Sequence, residues 1–330
     1  MPDRDNNSTS PLIAAIPIAL GLAAVGLEVT DEGTVVRATG PEPQALVETL
    51  SPEEQALIEE HVYMGLPSTQ NVAVRNGYVR GFLPEARIPL WVGYRVIPEY
   101  RDTPDREGRF SSFRRDRDVA NPVVDSDYTG LFATRGFARG HLAPFGVMGG
   151  DRDGDGELAP NDDFDNDTVF QANFMTNIAP QHHEAFNGSG GLWFELERKI
   201  QDEWVTELGR EVFVFAGCVV GPGEHEMVGP DNDILVPPMF FKIVILAPEQ
   251  DGPLEENEVI DDMPRVLAFL FPHQRIPHGD LEDYLVTVDV IEALTGLDFF
   301  NELADSVQAV LEDTDTIANW SLFEGTGTES

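Results

Sequence analysis

The 330-residue sequence predicts an α+β fold. Short apolar runs alternate with turns rich in Gly, Pro and Asp, a pattern typical of β-strands. The predicted strands are Tyr78–Phe82, Pro89–Tyr94, Val212–Val220, Phe240–Leu246, Val266–Phe271 and Leu285–Val288. Amphipathic helical periodicity is found instead in Leu192–Leu208, Val288–Leu297 and Phe299–Leu311. Because strands and helices do not alternate regularly, we do not expect a sheet built from βαβ units.

The main domain is predicted to begin near Tyr63 and to span residues 63–311, followed by a C-terminal tail at 312–330. The preceding segment, 1–62, contains an apolar run at 11–27, an acidic linker and a short helix at Ser51–Glu60. Ser51 is expected to cap this helix, with Pro52 at its first position.

The apolar run at 11–27 has a length near the lower limit for a membrane helix. One interpretation is a signal or anchor segment, which would make the protein secreted, periplasmic or membrane-anchored. The other is an apolar strand or helix packed on the domain of a cytoplasmic protein. Asp3 and Asp5 precede the run where a signal peptide would carry a basic cluster, so both interpretations stay open.

The sequence is strongly acidic, with 59 Asp and Glu against 21 Lys and Arg and a net charge of −38. Only Lys199 and Lys242 are lysines. Such a surface stays hydrated at high salt and indicates either halophilic adaptation or simply an acidic protein. It opposes nucleic-acid binding, because phosphate contacts require Lys or Arg. The single cysteine, Cys218, lies in an apolar run and is expected to be buried and unreactive.

Arginines nevertheless cluster upstream of residue 141. They are Arg101, Arg106, Arg109, Arg114, Arg115 and Arg117, followed by Arg135 and Arg139. We expect Arg114, Arg115, Arg117 and Arg135 to contact the phosphate backbone of a nucleic acid. The alternative is that the cluster forms ion pairs with Glu107, Asp116 and Asp118.

The segment 135–197 carries residues suited to phosphodiester hydrolysis. A neutral imidazole such as that of His141 can accept the proton of an attacking water. A single amide oxygen, such as that of Asn187, can anchor Mg²⁺, which keeps several water ligands. Arg139 can clamp a phosphate oxygen with its planar guanidinium. Taken singly, each of these residue types is more often structural.

Together these residues resemble the DNA/RNA non-specific endonuclease family. Its signature is D-R-G-H, then N-x-x-P-Q on a strand, then an Asn shortly before W-x-x-L-E on a helix. This sequence has A-R-G-H at 138–141, N-I-A-P-Q at 177–181, Asn187, and W-F-E-L-E at 193–197. The resemblance covers about residues 63–311 in the family order.

The resemblance implies an antiparallel sheet core with a ββα-metal finger, and Mg²⁺-dependent cleavage of DNA and RNA, with Mn²⁺ as an alternative ion. His141 is implied as the general base and Asn187 as the direct Mg²⁺ ligand. The other implied site residues are Arg139 for a phosphate contact, Glu197 for a carboxylate holding a water of the metal, and Asn177 and Gln181 for support.

The sequence departs from the family signature at two places. Ala138 replaces the usual Asp, which is expected to weaken Mg²⁺ affinity or slow catalysis. The intervals from Gln181 to Asn187 and from Asn187 to Glu197 are also slightly long. A catalytically weakened member that acts as a nucleic-acid- or partner-binding module is therefore the main alternative. The neighbouring His182 and His183 are expected to be exposed loop residues or to touch the substrate.

Residues 151–162, DRDGDGELAPND, have the spacing of a Ca²⁺-binding EF-hand loop. The predicted ligands are Asp151, Asp153, Asp155, Glu157 and Asp162, with Gly156 at the turn. The alternative is an acidic surface loop. A bound Ca²⁺ would be structural, and the same loop also admits an extracellular Ca²⁺-binding adhesion protein. DNA and RNA are the predicted partners, a homodimer is left open, and a membrane contact would involve only 11–27.

Overall fold

A computed structural model describes residues 28–29, 35–36, 41–221, 224–247, 263–275, 279–313, 319–320 and 323. The apolar run at 11–27 and most of the tail at 312–330 lie outside these residues. Within them, no helix has the length and apolar character needed to cross a membrane.

The core is a seven-stranded, entirely antiparallel sheet with the strand order β13-β12-β11-β8-β5-β4-β3. Its strands are β3 (Ala73–Val74), β4 (Val79–Leu83), β5 (Ile88–Val96), β8 (Val212–Val219), β11 (Met239–Leu246), β12 (Arg265–Pro272) and β13 (Leu285–Val286). All six predicted strands are confirmed, although Val288 begins a helix instead of ending a strand. Short pairs are formed by β1 (Glu28–Val29) with β2 (Val35–Val36), and by β9 (Met227–Val228) with β10 (Ile234–Leu235).

The central strands are buried along nearly their whole length, which explains why they appear in the sequence as continuous apolar runs. Cys218 lies on β8, opposite Phe240 of β11, and is fully buried as predicted. Lys242 is the exception on β11, because its charged side chain is also fully buried. A buried ammonium group requires a partner, and this partner is found near the site described below.

Helices surround this sheet. They are α1 (Pro43–Val47), α2 (Pro52–His61), α3 (Leu131–Arg135), α4 (Asp163–Ala172), α5 (Leu192–Arg198), α6 (Val288–Thr295) and α7 (Asp305–Glu312). Single helical turns occur at Pro98–Arg101, Gly108–Ser111, Asp125–Tyr128, Phe145–Val147, Met175–Asn177 and Leu281–Tyr284. The predicted cap of α2 is confirmed, since Ser51 and Glu54 form a reciprocal capping box.

Of two further helix predictions, one is confirmed and the other is wrong in part. The predicted helix Leu192–Leu208 is confirmed as α5 and its wider continuation Lys199–Glu207. The prediction of a helix over Phe299–Leu311 is wrong in its first half, because helical structure begins only at Asp305. There the chain turns after Gly296, at φ +69°, and buries Phe299 and Phe300 in the core.

A separate antiparallel hairpin carries the residues of the signature. It consists of β6 (Phe137–His141) and β7 (Ile178–His182), with His141 opposite Ile178. The loop 151–162 and α4 are inserted between the two strands. After β7, a wide helical turn at His183–Asn187 leads into α5. The structure thus has the predicted antiparallel sheet and ββα finger.

Candidate active site

His141 lies at the end of β6, with 9% of its surface exposed. Its Nε2 is 3.1 Å from Oδ1 of Asn173. An amide oxygen only accepts, so Nε2 carries the proton and donates it to this bond. Nδ1 forms no hydrogen bond with any residue that the structure describes. One nitrogen is therefore anchored, and the lone pair of the other is available.

Burial is the main reason why the pKa of His141 is lowered to about 3, and the nearby charge of Arg106 lowers it further. The hydrogen bond that Nε2 donates to Asn173 opposes this shift. The imidazole is consequently neutral at pH 7. A neutral imidazole with one free lone pair can accept a proton, which is the chemistry expected of a general base.

Asn173, which sequence reasoning missed, is itself held in place. It caps the C-terminus of α4, its Nδ2 donates to the Phe110 carbonyl at 2.9 Å, and its own carbonyl accepts from the Arg114 N–H at 2.8 Å. Its Oδ1 also accepts from Arg106 at 3.3 Å. An asparagine after a helix is a common cap, so the sequence contains no signal that distinguishes this one.

A second missed residue, Phe113, brings the charged groups of the site together. Its ring lies 5.6 Å from the His141 ring and 5.1 and 5.2 Å from the guanidinium carbons of Arg106 and Arg139. Arg139 is also paired with Asp125, at 2.7 Å from Nε to Oδ1. Arg106 is exposed and has no carboxylate partner within the described part of the chain. Arg106 is thus the more available cation for an external anion.

The other signature residues form a clamp beside the hairpin. Gln181 is fully buried on β7, and its Oε1 accepts from Nδ2 of Asn187. The Gln181 side chain lies across Gly140, where any Cβ would overlap it. With its Nδ2 so engaged, Asn187 has a free Oδ1 as far as the described residues extend. An amide oxygen is a ligand that Mg²⁺ accepts.

The side chain of Asn177 forms hydrogen bonds that hold the site's framework together. Its Nδ2 donates to the carbonyls of Ala143 and Ala172, and its Oδ1 accepts from the Ala143 N–H, each at 2.9 Å. These bonds join the end of the hairpin to the end of α4. Asn177 thereby supports both His141 and Asn173, and it is fully buried.

The carboxylate of Glu197, on α5, is paired with a lysine on strand β11 of the sheet. Its Oε1 accepts from Nζ of Lys242 at 3.2 Å, and that ammonium lies 3.8 Å from the centre of the Trp193 ring. Burial raises the pKa of Glu197 and lowers that of Lys242, while the attraction between them opposes both shifts. The buried lysine thus has its partner. No bond between Glu197 and His141 or Asn187 is formed in the described structure.

The four predicted substrate arginines differ in their surroundings. Arg115 and Arg117 are exposed, and no carboxylate pairs with them in the described part of the chain. Arg114 lies 4.1 Å from the centre of the Phe170 ring and donates to the Arg109 carbonyl at 3.1 Å. Arg135 forms an ion pair with Glu226.

The alternative that Glu107, Asp116 and Asp118 neutralise the arginine cluster is wrong, because in the described structure none of the three forms an ion pair with an arginine of the cluster. Asp116 pairs with Arg75 at 2.9 Å and with Arg80 at 3.0 Å, and Asp118 pairs with Arg75. These two arginines belong to the strand region of β3 and β4, so Asp116 is buried against the sheet, while Asp118 stays exposed. Arg115 and Arg117 remain available to an external anion.

The loop 151–162 gathers some of its predicted ligands. Carboxylate oxygens of Asp151, Asp153 and Asp155 lie within 4.8 Å of one another, and all three residues are exposed. Glu157 and Asp162 are not part of this group. Asp162 caps α4, accepting from the Asp165 N–H at 2.8 Å.

The two histidines after Gln181 are not equivalent. His182 is partly buried, its ring stacked on Phe137 at 4.5 Å, and its N–H donates to Nε2 of His273. His183 is exposed and contacts the Phe132 ring at 5.0 Å. The expectation of an exposed loop residue holds for His183 alone.

The chain is similar to known nucleases. The model of the DNA/RNA non-specific endonuclease family matches residues 59–306. Over 254 residues the chain is 25% identical to a nuclease of Serratia marcescens, covering 76% of this chain and 83% of that protein. It is 26% identical over 261 residues to human mitochondrial endonuclease G, covering 74% and 76% respectively.

Similarity to solved structures agrees with the fold. A crystal structure of an EndoG/EndoGI complex, described as showing the mechanism of EndoG inhibition, contains a chain with a TM-score of 0.56 and 20% identity. The match covers 78% of this chain and 94% of that one. With the hairpin, the following helix and the family match over 59–306, the chain belongs to the DNA/RNA non-specific endonuclease family.

Proposed function

We propose that this nuclease-family protein is a Mg²⁺-dependent endonuclease that hydrolyses phosphodiester bonds of DNA and RNA without strong sequence preference. Mn²⁺ is the alternative ion. The observation that carries the proposal is the environment of His141, which is neutral at pH 7, anchored through Nε2 and open at Nδ1. Nearby Arg106 has no carboxylate partner among the described residues. Nδ1 accepts the proton of the attacking water.

We propose that arginine side chains contact the phosphate groups of the nucleic-acid substrate. Arg106 and Arg139 flank Phe113 on the His141 side of the hairpin, and Arg115 and Arg117 extend the positive surface. Contacts to phosphate position a nucleic acid but do not read its bases. Cleavage is therefore expected at many sequences, in DNA and RNA alike.

The oxygen donors of the site fit a hard cation. Asn187 offers Oδ1 because Gln181 holds its Nδ2. When bound, Mg²⁺ would neutralise charge on the phosphoryl and leaving oxygens. Glu197 is proposed to act from outside the ligand set, with its charge balanced by Lys242, while Asn177 and Gln181 hold the framework. Ala138 supplies no carboxylate, so we expect a high Mg²⁺ requirement.

The loop 151–162 is proposed as a structural Ca²⁺ site. Three converging carboxylates without an ion would repel one another, and Ca²⁺ prefers such oxygen ligands. The acidic surface is proposed to favour function at high salt, where screening reduces its repulsion of nucleic acid. A homodimer and a membrane contact through 11–27 stay predictions.

The test is cleavage of supercoiled plasmid and single-stranded RNA by the purified wild type, with Mg²⁺, Mn²⁺ or chelator, at low and molar salt. Asn187→Ala is the test variant, and Asn161→Ala, in the exposed part of the inserted loop, is the control. We expect both substrates to be degraded with Mg²⁺ by the wild type and control only. A wild type inert in every metal and salt condition would favour the binding-module alternative, and Ca²⁺-linked stability alone would favour the adhesion alternative.

A further inference from the structure

Asp165 is a buried carboxylate beside the acidic loop. It lies in the first turn of α4, only 1% of its surface is exposed, and its Oδ1 accepts from the Arg152 N–H at 2.9 Å. Its Oδ2 is buried and has no hydrogen-bond partner within the described structure. A buried charged oxygen without a partner is costly, so this atom requires a counter-charge or a proton.

The bond from the Arg152 N–H places Asp165 next to the loop, because Arg152 lies between Asp151 and Asp153. Burial raises the pKa of Asp165, the Arg152 N–H opposes this, and the charges of Asp162, Asp153 and Asp151 raise it further. Oxygens of Asp151, Asp153 and Asp155 already converge within 4.8 Å. Asp165 itself is outside this group of oxygens. It lies at the edge of a cluster of negative charge whose repulsion a cation would relieve.

Asp162 and Asp165 both lie outside the group of oxygens within 4.8 Å, but of the two only Asp165 has a buried oxygen without a partner in the described residues. In a 12-residue Ca²⁺ loop the last ligand is a bidentate carboxylate. The helix begins only after Asp162, and the Oδ1 of Asp162 is engaged in capping it. Asp165 lies three residues further along, on the helix itself. A calcium loop closed by Asp165 would be longer than the 12-residue spacing of the sequence indicates.

The start of the loop is already fixed to the core. The Arg152 guanidinium donates to the carbonyls of Gly149 and Val147, each at 2.8 Å, and stacks 3.3 Å from the centre of the Tyr100 ring. Its backbone N–H holds Asp165. The two ends of the loop are thereby joined without an ion, which reduces the entropy lost when an ion binds.

We propose that Asp165 is the closing ligand of the calcium loop, together with Asp151, Asp153 and Asp155, and that the ion fixes the start of α4. The inference rests on the Ca²⁺ loop of the proposed function. The far end of the same helix is capped by Asn173, which holds His141. The ion takes no part in the chemistry, but it stabilises the helix that positions the base.

The test measures Ca²⁺ binding by calorimetry to full-length, chelator-treated protein. The variants are Asp165→Asn, Asp151→Asn, Asp162→Asn and the control Asp167→Asn, an exposed position of α4 with the same charge change. Asn at 165 still accepts from Arg152, and Asn at 162 still caps. We expect one Ca²⁺ in the wild type, affinity lower by at least about tenfold in the Asp165 and Asp151 variants, and near-wild-type affinity in the other two.

Hydrogen exchange of the 163–173 amides tests the link to the site. Ca²⁺ should slow exchange there in the wild type and the Asp167→Asn control, but not in Asp165→Asn. Wild-type affinity in Asp165→Asn, or loss in Asp162→Asn alone, would overturn the assignment, and unchanged exchange with Ca²⁺ bound would overturn the link. A wild type that binds no Ca²⁺ but cleaves DNA with Mg²⁺ would refute the calcium loop and leave the nuclease proposal standing.

Discussion

The two nitrogens of His141 have different environments, and this difference carries the catalytic proposal. Nε2 donates to Asn173, while burial and the Arg106 charge keep the ring neutral by lowering its pKa to about 3. Asn173 therefore selects the tautomer and fixes the ring, as partners of catalytic histidines do. Asn173 and Arg106 can each be replaced to test this proposal.

Replacement of Asn173 tests whether it positions the base. Asn173→Ala should lower kcat by roughly ten- to a hundredfold with little change in KM for DNA, because a freely turning ring spends less time in the reactive geometry. Asn173→Asp keeps an oxygen acceptor and should restore part of the activity. Its added negative charge should also raise the pKa of His141 and move the acid limb of kcat/KM to higher pH. An Asp variant indistinguishable from Ala would contradict the role.

Replacement of Arg106 tests whether its charge lowers the pKa of His141. A general base works unprotonated, so a lowered pKa keeps His141 active at lower pH than an ordinary histidine. Arg106→Ala removes a charge that lowers this pKa; the acid limb of kcat/KM should therefore move to higher pH, and KM for DNA should rise. Arg106→Lys keeps the charge and should move the limb much less. The measurement is the pH profile of kcat/KM for each variant. An acid limb that does not move in Arg106→Ala would refute the electrostatic effect of Arg106 on the pKa of His141.

At the scale of elements, the β6–β7 hairpin and α4 build the site. The hairpin holds His141 at the end of one strand and Gln181 on the other, and Gly140 leaves the space through which Gln181 reaches Asn187. The inserted α4 delivers Asn173 from the opposite side. The Asn177 bonds to Ala143 and Ala172 join the two elements.

Gly140→Ala should break the clamp on Asn187. The new methyl group would displace the Gln181 side chain, so Asn187 would lose its anchor and the Mg²⁺ concentration for half-maximal activity should rise by at least about tenfold. Gly221→Ala is the matched control, because a Cβ there meets open space. A Mg²⁺ titration of cleavage compares the two. Equal Mg²⁺ requirements in Gly140→Ala and wild type would show that the clamp does not matter.

The sequence predicts the sheet well, because strands such as β8 and β11 are continuous apolar runs buried in the core. It does not predict α4, whose buried face is largely polar and includes Asp165, Asn166 and Thr168. Such a segment lacks the apolar stripe that marks a helix. The signature finds His141 and Asn187, whereas Asn173 enters through a contact across 32 residues that no local pattern encodes.

The excess of negative charge determines how the stability of the whole protein responds to salt. A net charge of −38 creates self-repulsion in the compact state, while the arginines near His141 keep a local positive surface. Salt screens both interactions, with a Debye length of about 10 Å at 0.1 M and about 3 Å at 1 M. Salt should therefore stabilise the fold while weakening the few phosphate contacts.

Stability should consequently rise with KCl. The free energy of unfolding by urea, an uncharged denaturant, is expected to increase by several kcal/mol between about 0.05 and 1 M KCl, as repulsion between carboxylates is screened. Urea titrations at increasing KCl provide the measurement. Sucrose at matched osmolality is the control for excluded-solute effects. A free energy independent of KCl would show that the acidic surface does not limit stability.

His141 is proposed to act as the general base of a nuclease. The most direct measurement compares plasmid cleavage by wild type and His141→Ala with saturating Mg²⁺, alongside circular dichroism and DNA binding of both. We expect cleavage by His141→Ala to fall by about 10²- to 10⁴-fold, with the fold and the DNA affinity retained. A folded, DNA-binding His141→Ala variant that cleaves within tenfold of wild type would contradict it.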